Sequence, residues 1–244
     1  MKQKVRIKIK DTKAFLKKAS TDHIKTVLQA VELNKSGEAQ KKFLPFVKKV
    51  WPGFIEGTHH RIIAEKMEQI ASGKIKRLIV NMPPRHTKSE FASYLFPSWI
   101  IGQQPTKKII QTTHTAELSV NFGRKMKNLI DSEEYKKVFP KVSIAVDSKA
   151  AGRWHTNHGG EYFAAGVGGA ITGRGADLLI IDDPHSEQDA LSATAMDSVY
   201  EWYTSGPRQR LQPGGAIVLV MTRWSVKDLT GALLKAQSDK NADK

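Results

Sequence analysis

The residues with the clearest chemical reach lie in two places. Met82-Pro83-Pro84-Arg85-His86-Thr87-Lys88-Ser89 follows an apolar run at 77–82 and leads into a helical pattern. A phosphate-binding loop needs backbone N–H groups aimed inward at a helix N-terminus, a Lys for the β and γ phosphates, and a hydroxyl for Mg²⁺. Lys88 and Ser89 stand where the last two belong. The full pattern has Gly at the positions of Met82 and Thr87, and a Thr held at positive φ stores about 1–3 kcal/mol of strain. Taken alone, the segment reads equally as an ordinary strand–loop–helix connection. The second place is Leu178-Leu179-Ile180-Ile181-Asp182-Asp183, an apolar strand ending in two carboxylates. Such a strand gives one carboxylate, Asp182, to a Mg²⁺ shell and the next, Asp183, to an attacking water. Asp-Asp-Pro is also common turn chemistry. Together and in this order, each on a buried strand, the two segments favour a phosphate-loop ATPase.

Phosphoryl transfer also calls for a mobile cation. Arg85 lies inside the loop. Arg174 lies in Thr172-Gly173-Arg174-Gly175, just ahead of the acidic strand, where flanking glycines let it swing or approach a neighbouring subunit's nucleotide. It reads as well as a surface arginine in a flexible turn. Thr222-Arg223-Trp224 ends the last apolar strand, the place of a hydrolysis sensor, with Trp224 also suited to packing. His59 and His60 open a helix upstream of the loop, where a base-recognition element belongs. Trp51 and Phe54 suit either a purine or a helix anchor. His155 and His158 have an H-x-x-H spacing without a third ligand nearby and read as structural. No G-x-S-x-G elbow supports serine hydrolase chemistry.

The elements that must position these groups alternate. Residues 77–82, 108–113, 178–181 and 216–221 are uniformly apolar and read as buried strands, with a shorter one at 161–165. Helices are expected at 58–73, 88–101, 116–130, 193–211 and 226–237. Strands of this kind separated by helices imply an α/β fold with a mainly parallel sheet covered on both faces. Ahead of them, residues 4–10 alternate apolar and basic like a strand, and helical periodicity runs through Phe15 to Val31. Ser36-Gly37 is expected to break it, with a further helix from Glu38 to Val50. The organisation expected is a basic helical lobe at 1–50, a core at 51–237 and a polar tail at 238–244.

Composition bounds the partners. The 244 residues are 40% hydrophobic and 26% charged, values of a folded globular chain. Cysteine is absent, which excludes a disulfide framework and thiolate chemistry. No run of about 18 uncharged apolar residues marks a membrane span, and the basic start carries no signal-peptide core, so an intracellular soluble protein is expected. The net charge is +15, of which residues 1–50 hold +10 through 14 Lys and Arg against 4 Asp and Glu. Charge packed into one end points to a polyanion, and it also serves as a solvated basic surface.

Three segments in order, Asn81–Glu90, Leu178–Pro184 and Met221–Trp224, resemble the large terminase subunit of tailed bacteriophages, over about residues 45–235. The resemblance implies a P-loop NTPase of the additional-strand, catalytic-glutamate class with a small helical lid. The implied activity is ATP hydrolysis with Mg²⁺ that drives double-stranded DNA into a procapsid. Carried over by position, Arg85, His86, Thr87, Lys88 and Ser89 form the ATP loop, with Ser89 and Asp182 at the metal. Asp183 takes the catalytic carboxylate's place, Arg85 the phosphate sensor's, and Thr222 the coupling motif's. Arg174 matches a finger acting in trans, and His60 the adenine motif, where glutamine is commoner. Thr87 for glycine and Asp183 for glutamate depart from the pattern. Partners implied are the portal and procapsid, the small terminase subunit and a homo-oligomeric ring, with a monomer when isolated, in the cytoplasm of an infected bacterial host. The family continues into a nuclease domain, whose acidic cluster is not in this sequence, so no nuclease activity is expected. The other readings are a helicase-like ATPase dependent on nucleic acid, and a basic binding module with a degenerate nucleotide site.

Overall fold

The computed structural model describes residues 21–148 and 150–238; the strand expected at 4–10, the periodicity before residue 21 and the tail from 239 lie outside them. The chain runs α1 (Thr21–Lys41), α2 (Phe43–Val50), α3 (Thr58–Ala71), β1 (Arg77–Asn81), a π-helical turn at Glu90–Leu95 continuing into α4 (Phe96–Gln103), then β2 (Lys108–Thr113). It continues through α5 (Ala116–Asp131), α6 (Glu133–Val138), β3 (Arg153–His155), β4 (Glu161–Gly166) and β5 (Ala176–Asp182). The last elements are α7 (Ala193–Ser205), β6 (Leu211–Met221) and α8 (Leu229–Ser238).

Six strands form one sheet in the order β1-β6-β5-β2-β4-β3, parallel except for the β3–β4 pair. The mixed α/β architecture therefore has the mostly parallel sheet that the apolar strands imply, flanked by helices. β6 lies between β1 and β5, so the strand feeding the Lys88 loop and the strand ending in the acid pair are not neighbours. Both end on the same edge. Register pairs Asn81 with Met221 and Asp182 with Val220, which puts the exits of β1, β6 and β5 side by side at the carboxyl edge. In open parallel sheets that edge is where ligands sit.

Alternation along the strands splits the core in two. Leu178, Ile180, Val218 and Val220 face one cluster, where Phe43, Phe46, Phe91, Phe96 and Trp99 interlock. Leu179, Ile181, Ile217, Leu219 and Met221 face the other, closed by α7 and Leu229 of α8. Helix α2 is thus part of the main core, and Phe43 meets Phe91 edge-on at 5.5 Å.

The largest boundary differences from the sequence reading fall in α1, α2 and β6. Helix α1 runs through Ser36-Gly37 and stops at Lys41, because tertiary bonds hold it there: Trp99 Nε1 donates to Ala39 O and Gln103 Nε2 to Gln40 O. The break comes one residue later, where Glu68 of α3 accepts the Phe43 N–H at 2.9 Å and starts α2. Strand β6 begins at Leu211 rather than Ala216, extending into the segment read as the end of a helix.

Candidate functional site

The loop leaving β1 bends twice through backbone that favours glycine. Arg85 and Thr87 both have φ 63°, while His86 and Lys88 stay at negative φ. This alternation of sign turns successive N–H groups toward one side, the geometry of an anion-binding nest. Among the described residues, the N–H groups of Arg85, His86 and Thr87 have no backbone acceptor. Thr87 adopts the strained path that its position in the pattern demands, and the structure braces it. Its hydroxyl donates to His86 O at 2.6 Å and accepts from His60 Nε2 at 2.7 Å. His60 Nδ1 accepts the Gly57 N–H at 2.8 Å, which leaves Nε2 as the protonated nitrogen. Burial lowers the His60 pKa, helped by His59, so the neutral ring is the stable form. The ring also lies on Phe91, centroids 4.9 Å apart.

The acid pair is divided by environment. Asp182 is buried and accepts Ser89 Oγ at 2.9 Å on one oxygen and Ser93 Oγ at 2.7 Å on the other. Burial pushes its pKa up to about 6, with the Asp183 charge adding to the rise; the two hydroxyls and Lys88 oppose it. Asp183 is more open and has φ 40°. Its Oδ2 lies 2.7 Å from Lys88 Nζ, and its Oδ1 accepts the Thr222 N–H at 2.7 Å. The Lys88 side chain is 7% exposed, so this ammonium is carried into the protein against a single carboxylate.

Lys88, Ser89, Asp182, Asp183 and Thr222 thus converge from three strand exits, with Thr87 and His60 behind the loop. Arg85 is exposed on the loop and makes no ion pair among the described residues. His86 folds back, with Nδ1 2.9 Å from Pro84 O. Arg174 stands at the opposite, amino edge of the sheet. Its guanidinium lies 3.8 Å from the Phe163 ring centroid and 2.8 Å from Glu161 Oε1. The seven residues of β5 separate it from the acid pair by about 20 Å at about 3.3 Å per residue. His155 and His158 bind local groups, Ser148 and Lys141 O, in keeping with a structural role. Trp51 and Phe54 meet with tilted rings at 5.3 Å, and Phe54 meets His60 edge-on at 4.8 Å, which anchors the start of α3 beneath the loop.

Three participants escaped sequence reasoning. Ser93 reaches Asp182 because it lies four residues after Ser89 on the same helical face, a spacing visible in the sequence. Asp228 caps α8 by accepting the Gly231 N–H at 2.9 Å, and Asp before a helix is an N-cap signal. His185 accepts the Leu229 N–H at 2.9 Å, and no local pattern announces that contact.

An all-oxygen pair on a buried carboxylate suits a hard cation. Ser89 Oγ and the Asp182 carboxylate are the oxygens that would hold such a cation.

The crystal structure of the HK97 bacteriophage large terminase is similar to this chain at 15% identity, with a TM-score of 0.49, over 78% of this chain and 41% of that one. The chain therefore spans less than half of that protein's length. No protein-family model and no curated protein matches it. Among the described residues, no helix is long and apolar enough to cross a membrane.

Proposed function

We propose that this chain binds and hydrolyses ATP with Mg²⁺, as the motor domain of a viral DNA-packaging terminase that drives double-stranded DNA into a procapsid. One observation carries the hydrolase reading: Lys88 and Ser89 from the β1 loop meet Asp183 and Asp182 from a non-adjacent strand at 2.7 and 2.9 Å. Unpaired N–H groups at 85–87 receive phosphate oxygens, and Lys88 turns from Asp183 to the triphosphate. Asp183, freed on Oδ2 and still oriented on Oδ1 by the Thr222 N–H, then orients a water and takes its proton. Ser89 and Asp182 would hold Mg²⁺, which supplies charge neutralisation on the phosphates when bound. Arg174 serves this chemistry only from a neighbouring copy, because in its own chain it lies on the far edge.

The DNA partner is supported by the motif resemblance and by the +10 charge of residues 1–50. The portal, the small subunit and a ring assembly follow from the same resemblance. Lys88→Ala is the test of the hydrolase reading. It is expected to abolish Mg²⁺-dependent ATP hydrolysis with the circular dichroism unchanged, and undiminished turnover would remove the assignment. Stimulation by double-stranded DNA without strand separation distinguishes the packaging motor from a helicase-like ATPase.

A further inference from the structure

The turn from β6 into α8, residues 222–228, is fastened at three points. Asp183 accepts the Thr222 N–H at its start. Buried Asp228 gathers the middle on one oxygen, accepting Arg223 Nε at 2.8 Å and Trp224 N at 3.1 Å, while its other oxygen caps Gly231. His185 holds the far end and is itself buried, 3% exposed. Because Nε2 accepts the Leu229 N–H, the proton of the neutral ring sits on Nδ1, which is buried with no partner among the described residues. An orphaned buried donor costs stability, and this ring keeps one while its other nitrogen holds α8.

Asp183 and His185 are two residues apart on a turn stiffened by buried Pro184. One short segment thus grips the next loop at both ends. Asp183 also pairs with Lys88 through its other oxygen, so one carboxylate joins the ammonium to the start of the turn. On the outer side of the turn, Trp224 and Val226 stand in solvent, 38% and 83% exposed.

We propose that His185 is a positioning residue that ties the N-terminus of α8 to Asp183, so that release of Asp183 from Lys88 shifts the Trp224–Val226 turn. This rests on the ATP hydrolase reading above.

Gln at 185 places an acceptor oxygen where Nε2 lies, whereas the Asn oxygen stops near Nδ1. The full chain is titrated with Mg·ATP by calorimetry and by Trp224 emission, taken as the difference from Trp224→Phe. In the wild type, ATP is expected to shift that emission. His185→Asn is expected to lose the shift and lower kcat about tenfold with KM within about twofold, and His185→Gln to restore both. A His185→Asn protein that keeps both shift and kcat overturns the inference. ATP binding with silent Trp224 in the wild type overturns the coupling alone; no ATP binding overturns the hydrolase reading with it. Should His185→Asn fail to fold, a folded His185→Gln that loses shift and turnover refutes the role, and one that keeps both supports it.

Discussion

Asp182 offers a measurement that needs no nucleotide. Its pKa stands at about 6 against 3.8 for the free group, because burial outweighs the hydroxyls of Ser89 and Ser93. The folded chain therefore holds this proton more tightly than the unfolded chain. The group's contribution to stability is full below pH 3.8 and is lost as pH rises through 6, a cost of about 3 kcal/mol at about 1.36 kcal/mol per pH unit. Asp182→Asn removes the charge and keeps the contacts: its oxygen accepts from one serine, and its amide donates to the other, whose hydroxyl turns to receive it. The variant is expected to match the wild type near pH 4 and to exceed it by up to about 3 kcal/mol at pH 8. For a domain of this size that is roughly 6–12 °C in Tm. Thermal melts of both proteins across pH 4–8 provide the assay. The difference between them isolates Asp182 from His60 and His185, whose lowered pKa values make acid destabilising in both proteins alike. A pH-independent difference, or a variant less stable at pH 8, would refute the reasoning.

Thr87→Val keeps the β-branched shape at φ 63° and strands the His60 Nε2–H, so it is expected to cost about 1–3 kcal/mol in urea unfolding. Thr87→Gly relieves backbone strain while losing the same bond, and is expected to stay within about 1 kcal/mol of the wild type. Gly231→Ala drives a Cβ into Val226 O, and about 1–3 kcal/mol of lost stability with altered Trp224 emission is expected. An unchanged melt and spectrum would mean that the turn yields freely.

Much of the frame is legible in the sequence because buried parallel strands are written as unbroken apolar runs. β1, β2 and β5 lie where Arg77–Met82, Lys108–Thr113 and Leu178–Ile181 place them, and the pairing of Lys88-Ser89 with Asp182-Asp183 needs only their order along the chain. The strained Thr87 is legible too, from the loop pattern. Arg85 is not, since nothing about an arginine signals positive φ. The continuation of α1 through Gly37 and the late start of α2 are set by Trp99, Gln103 and Glu68, residues 25 or more positions away. His185 is illegible for the same reason, its partner Leu229 being 44 positions on. Local pattern encodes which face a residue takes; it does not encode which distant amide lies opposite.

The sheet's two sides are unequally insulated. One is sealed by a thick aromatic wall under α1 to α6, and the other by α7 and a helix that buries only Leu229 and Thr230. Local opening is cheapest where least apolar surface must be wetted. α8 can therefore lift and reseat while the aromatic side stays closed, and amide exchange would trace that motion as an early-melting unit. Of the two helices on that side, the one tied to the acid pair has the smaller apolar burial to lose by moving.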